Sequence, residues 1–217
     1  MEPTNNGWIT FVSKFIIESE KLAGITPSSD EEVARDITWQ RSEGVYHGHV
    51  GALLRLGGLV TITNHYVSGP LICEINKLIA VEGFVDGTSP QSPKTEVSER
   101  IESVLGAIRW FARVQWWQEN LRFGKEPMEK VCDVANFYYD FVRAKPFASA
   151  NGRTARALAY FLLLQGAVNP FIFYETGRAS HDASLSEPTA RQTIDYFLWE
   201  WRLQNSNTSP HGCRHLQ

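Results

Sequence analysis

The stretch "VANFYYDFVRAKPFASANGRTARALAYFLLLQGAV", Val134 to Val168, decides the fold. Its first third spaces Val134, Phe137, Tyr138, Phe141 and Val142 at helical intervals, and its last third, from Thr154 on, is almost wholly apolar. Between them lies "KPFASANGRTAR", Lys145 to Arg156. Pro146 disfavours helix for Lys145, so the chain is expected to arrive there extended. Ser149 and Asn151 are both good N-cap residues, and the spacing predicts a helix over Asn151 to Gln165. A helix so apolar on every side belongs in the middle of a core. The segment therefore reads as helix, short loop, buried helix.

The loop carries donors for an anion. The first N–H groups of a helix have no partner within it, and the helix dipole adds positive charge. A phosphate placed there would accept those N–H groups, with Arg153 and Arg156 beside it. Ala150 and Gly152 are small enough to let it approach the backbone. The plainer alternative is two arginines on a solvated face.

The apolar spacing is helical along most of the chain. Phe11, Phe15, Ile16 and Leu22 mark a first helix that Gly24 and Pro27 stop. "SSDEEVARDITW" opens a second, with Ser29 and Glu32 spaced as a capping box. Leu53 to Val60 reads as helix despite Gly57-Gly58, and the β-branched "LVTITNHYV" reads as a short strand. Pro70 suits a first helical turn, "GFVDGTSPQSPKT" a loop, and Thr95 to Asn120 a long helix. Further helices start at Pro127 and in "SEPTARQTIDYFLWEW", where Pro188 suits a first turn. The expected architecture is all-α: about eight helices around a central buried helix in a single domain over 1–204. The polar tail over 205–217 is expected to be disordered.

Composition narrows the function classes. With 217 residues, 43% hydrophobic and 21% charged, the chain is an ordinary globular one, and a net charge of −3 argues against nucleic-acid binding. No stretch approaches the roughly 20 apolar residues of a membrane span. Three scattered cysteines, Cys73, Cys132 and Cys213, fit reduced thiols rather than disulfides or zinc. With no basic leader before an apolar run, the expected location is cytoplasmic, a secreted effector without a cleavable signal being the alternative. His47 and His49 form an HxH pair without further ligands, too little for a metal site. "WFARVQWW" reads as core with a polar edge, and His211 and His215 as tail residues.

The loop resembles the signature of the Fic/Doc (Fido) family, His-Pro-Phe-x-Asp/Glu-Gly-Asn-Gly-Arg-x-x-Arg. Pro146, Phe147, Asn151, Gly152, Arg153 and Arg156 match it. The resemblance implies a Fic-like helical domain with room for a β-hairpin flap in the region of "GFVDGTSPQSPKT". It also implies nucleotide or phosphate binding by Ser149, Ala150, Asn151, Gly152, Arg153 and Arg156. In nucleotide-transferring members the histidine is the base for a target hydroxyl, and the acidic residue holds Mg²⁺. Here those positions are Lys145 and Ser149, and the first glycine is Ala150, as in Doc-like members. A lysine near its ordinary pKa of about 10.4 is no base at neutral pH. Lys145 is therefore expected to bind phosphate as a cation, or to act as a diverged base. Ser149 leaves Mg²⁺ without its carboxylate, so no metal site is expected.

The resemblance extends to an inhibitory helix over about 30–44. Glu43-Gly44 matches the end of the family's Ser/Thr-x-x-x-Glu-Gly/Asn motif, although Trp39 holds its Ser/Thr position. Glu43 would then pair with Arg156. The function implied is that of a transferase, moving a group from a nucleotide or other phosphate-bearing donor, ATP by default, to a hydroxyl on a protein or a small molecule. Family members move AMP, UMP, phosphate or phosphocholine. The alternative is an inactive Fic-fold regulator that binds a nucleotide or a protein partner.

Overall fold

A computed structural model describes residues 5–60, 67–80 and 125–206. They form eight α-helices: α1 (Asn5–Leu22), α2 (Asp30–Glu43), α3 (Gly48–Val60), α4 (Gly69–Ala80), α5 (Pro127–Ala144), α6 (Asn151–Gln165), α7 (Arg178–Ser186) and α8 (Arg191–Asn205). A 3₁₀ turn, Glu175–Gly177, precedes α7, and there is no β-strand among the described residues. The all-α reading holds. The strand expected over 59–67 begins inside α3, and 61–66 lie outside the described residues, as do the loop of 83–95, any flap there, the helix of 95–120 and the tail beyond 206.

The core is built around α6. Every residue from Arg153 to Leu163 is buried, and the helix packs against α5, α3, α4 and α1. An all-round apolar helix can satisfy itself only in such a position, because any exposed face would leave large apolar side chains in water. Behind it Tyr138, Phe171, Phe173 and Phe197 pack ring to ring, with centroids 4.9–5.6 Å apart. This cluster joins α5 to α8 and to the segment before the 3₁₀ turn.

The helix ends follow their sequences closely in the N-terminal half. Gly24 takes φ +75° after α1 and Gly44 φ +66° after α2, the left-handed geometry that glycine adopts without a Cβ clash. The capping box at α2 is formed as expected: Ser29 Oγ accepts the Glu32 N–H, and Glu32 Oε2 accepts the Ser29 N–H at 2.9 Å.

Three local expectations fail around the loop and the last helices. Lys145 does not arrive extended. It ends α5 in the left-handed conformation (φ 44°, ψ 59°), with its N–H donated to Phe141 O. Proline excludes the right-handed helix from its predecessor, and here the chain meets that demand by turning left. Neither Ser149 nor Asn151 caps α6: Ala150 is the N-cap, at φ 58° and ψ 14°, and no side chain caps the helix. Pro188 precedes α8 rather than entering it: that helix starts at Arg191, and Pro188 lies in the turn between it and the separate short helix α7, which ends at Ser186.

Candidate functional site

The geometry of the loop comes from Asn151. Its Oδ1 accepts the Phe147 N–H at 2.9 Å, and its Nδ2 donates to Phe147 O at 2.7 Å. One carboxamide thus closes the loop by pairing both polar backbone groups of one residue. Phe147 is buried against Phe141, which anchors the closure to α5. On the other side Asn76 of α4 donates to Ser149 O at 3.1 Å and to Thr154 Oγ1 at 3.0 Å. Asn76 escaped sequence reasoning. Its signal was a polar residue within the apolar stripe Ile72, Ile75 and Ile79.

With Asn151 turned back toward Phe147, the first turn of α6 is left without a side-chain cap. It opens on a cavity of about 300 Å³. One wall is Ala150, Asn151, Gly152, Arg153 and Arg156; the other is Leu22, Ala23 and Ile25, at the end of α1. None of these residues carries a carboxylate, and the first turn of α6 has no acidic residue. The electrostatics are those of an anion site: uncapped N–H groups, a helix dipole and two guanidinium groups.

The arginines are not surface residues. Arg153 is 8% and Arg156 3% exposed. Arg156 Nε donates to Ser19 Oγ at 2.8 Å and Nη2 to Ser19 O at 2.7 Å, across to α1. Its Nη1 lies over the first turn of α6, 3.3 Å from where a Cβ on Gly152 would stand. A side chain at Gly152 would crowd that nitrogen, which would have to give by a few tenths of an ångström. The solvated-face reading of the arginines is excluded.

A polar chain backs Arg156. Tyr138 of α5 meets it and pairs at 2.7 Å with His181 Nε2, while His181 Nδ1 lies 3.0 Å from Asp182 Oδ1. A carboxylate only accepts, so Nδ1 carries the proton and Nε2 accepts from the Tyr138 hydroxyl. Burial pushes the Tyr138 hydroxyl up, opposed by the Arg156 charge. Burial also pushes His181 down, and the Arg156 charge adds to it. His181 is therefore neutral, as the hydrogen bonds require.

His49 of α3 is a second buried imidazole near the arginines. It is 5% exposed, and neither ring nitrogen has a hydrogen-bond partner among the described residues. Glu20 Oε1 stands 3.8 Å from Nδ1, too far for a hydrogen bond. Burial lowers its pKa, Glu20 opposes, and the charges of Arg156 and Arg153 reinforce the fall. His47, its partner in the HxH pair, instead packs against Trp39 in a tilted ring contact at 5.4 Å. The two do not converge on a metal site, and no group of three or more metal-binding side chains occurs among the described residues.

The structure thus gathers Ala150, Asn151, Gly152, Arg153 and Arg156 into one wall and leaves three expected residues outside it. Lys145 and Ser149 are exposed and do not line the cavity. Glu43, the last residue of α2, is also exposed, and its expected ion pair with Arg156 is not formed among the described residues. Arg156 gives two of its donors to Ser19 instead. Sequence reasoning missed Ser19, since nothing local connects it to a residue 137 positions away.

Residues 66–163 match the model of the Fic/DOC family. Over those residues the chain is similar to the Fic/DOC family. Its structure is similar to that of a Fic domain-containing signaling protein from Bacteroides thetaiotaomicron, with a TM-score of 0.63 at 15% identity, covering 95% of this chain and 90% of that one. It is also similar to two structures of Fic-1 from C. elegans, with TM-scores of 0.56 and 0.57 at 20% and 19% identity. The chain covers 62% of each of those. At such identities the likeness concerns the fold. No curated protein matches the sequence. No described helix is long and apolar enough to cross a membrane.

Proposed function

We propose that the cavity at the start of α6 binds the phosphate of a nucleotide or similar donor, ATP by default, and that the protein is a Fic-type transferase acting on a hydroxyl of a protein or small molecule. One observation carries this reading: the uncapped first turn of a buried helix faces a cavity flanked by Arg153 and Arg156. The match to the Fic/DOC family supports the transferase class. In such a transfer the acceptor oxygen bonds to the donor's phosphorus, the bond to the leaving phosphate breaks, and the hydroxyl proton passes to a base or to water.

Two features set the chain apart from the motif it resembles. Mg²⁺ favours hard, charged oxygen ligands, and the cavity wall offers none; the residues present do not fit the ion, and no step is routed through it. Lys145, exposed on the same loop and outside the cavity lining, stands at the motif's histidine position and puts no base into the cavity. These features favour a second reading, a Fic-fold regulator that binds a nucleotide or protein partner without turnover.

Calorimetry with ATP, with and without Mg²⁺, tests the shared part of both readings. Arg153→Ala should weaken binding by about 1.5–3 kcal/mol, the range for a hydrogen bond to a charged group. An unchanged affinity places the ligand elsewhere. Incubation with ATP labelled at the α- or γ-phosphate then separates the two. Label transferred to the chain or to an added acceptor supports the transferase, and binding without transfer supports the regulator.

A further inference from the structure

A guanidinium offers two forks, one at its side (Nε with Nη2) and one at its end (Nη1 with Nη2). In Arg156 the side fork is already taken, with Nε bound to Ser19 Oγ at 2.8 Å and Nη2 to Ser19 O at 2.7 Å. Both acceptors belong to one buried residue, so they fix the plane of the guanidinium as well as its place. Tyr138, held by His181, meets it from α5. Nη1, which takes neither Ser19 acceptor, lies against Gly152 in the first turn of α6.

We propose that Ser19 is a positioning residue of the anion site: it sets Arg156 end-on, so that a phosphate is met by Nη1 together with the α6 N–H groups and not by the side fork. This rests on reading the cavity as a phosphate site. It makes α1 part of that site, although α1 lies outside residues 66–163, where the family match falls. The wall formed by Leu22, Ala23 and Ile25 belongs to the same end of the chain. An arginine left free would have to give up its rotamer freedom on meeting a ligand, whereas one fixed by Ser19 gives it up on folding.

If Ser19 only joined α1 to α6, its loss would lower stability and leave ligand affinity alone. Titration of the full chain with inorganic pyrophosphate and with orthophosphate distinguishes the two roles. Ser19→Ala should weaken pyrophosphate about fivefold, the effect of one modest hydrogen bond. Ser19→Thr, which keeps both the hydroxyl and the carbonyl, should restore it. In an Arg156→Lys background, whose ammonium has no side fork, Ser19→Ala should change nothing further. If Ser19→Ala does not fold, Ser19→Cys keeps the volume, loses the strong acceptor and carries the same comparison. The proposal is overturned if Ser19→Ala lowers Tm at unchanged affinity, or costs as much in the Arg156→Lys background as in the wild type. A wild type that binds neither ion removes the phosphate-site reading itself; binding that ignores Ser19 removes this inference alone.

Discussion

The helices α2 and α6 begin in opposite ways. At α2, Ser29 and Glu32 exchange hydrogen bonds, and Asp30, Glu31 and Glu32 put three carboxylates in the first turn. The N–H groups and the dipole are answered from within the sequence. At α6 the N-cap is an alanine, the first turn has no acid, and Asn151, which could have capped it, faces backward to Phe147. Arg153 and Arg156 add positive charge where α2 adds negative. Both helices leave the same backbone groups without a partner inside the helix. The side chains decide whether the protein or a ligand supplies the negative charge.

Acid should separate the two regions most strongly. The carboxylates at the α2 start are exposed, whereas two buried imidazoles, His49 and His181, lie behind α6. Arg153, Arg156 and Glu20 act on His49, and Arg156 and Asp182 on His181. Burial holds both imidazoles below the ordinary value of about 6.5. As pH falls through that value the unfolded chain takes up protons before the folded one does, so their stabilising contribution is present above about pH 6.5 and is lost below it. The urea midpoint should fall between about pH 7.5 and about pH 5.5, and His49→Gln with His181→Gln should flatten the fall. A midpoint independent of pH over this range would break the comparison.

Asn151→Ala should have the next largest effect. It removes two hydrogen bonds, each worth about 1 kcal/mol, and leaves both polar groups of the buried Phe147 backbone unpaired. A loss of about 2 kcal/mol in urea unfolding is expected, with anion binding lost alongside as the loop opens. Ser29→Ala is the matching change at α2. It should cost about 1 kcal/mol, the usual value of an N-cap, and leave anion binding as it was. Equal effects of the two variants on binding would show that the α6 start is not special.

The fold was legible where the sequence acts locally. The capping box, the stop at Gly24 and the burial of α6 all follow from residues within a turn or two of one another. The site was legible only in part. That Gly152, Arg153 and Arg156 line one cavity could be anticipated because they share the first turns of one helix. Ser19, Asn76 and Tyr138 could not, because their partners come from distant elements. Asn151 misled for a physical reason: a good capping side chain has other uses, and here its carboxamide is bound to Phe147. Asn151 serves the loop, and Ser149 meets α4 through its carbonyl.

The smallest expected effect concerns the residue that makes α6 open. Ala150 holds φ 58°, in the left-handed region that costs an L-residue about 1–2 kcal/mol. Lys145, at the other end of the loop, holds φ 44°, so one short segment keeps two strained residues. Such strain persists only where surrounding contacts enforce it, here the paired Asn151 bonds to Phe147 and the Asn76 bond to Ser149. Ala150→Gly removes the Cβ clash but gives the unfolded chain more freedom, at a cost of about 0.4–1 kcal/mol. The difference should be a net gain of about 0.5 kcal/mol in urea unfolding. Because the backbone is already in the glycine-like conformation, the N–H groups of α6 should not move, and anion affinity should stay the same. A gain in stability with a loss of binding would mean that the Ala150 methyl group itself shapes the cavity; a loss of stability would mean that the left-handed turn is not the conformation the loop prefers.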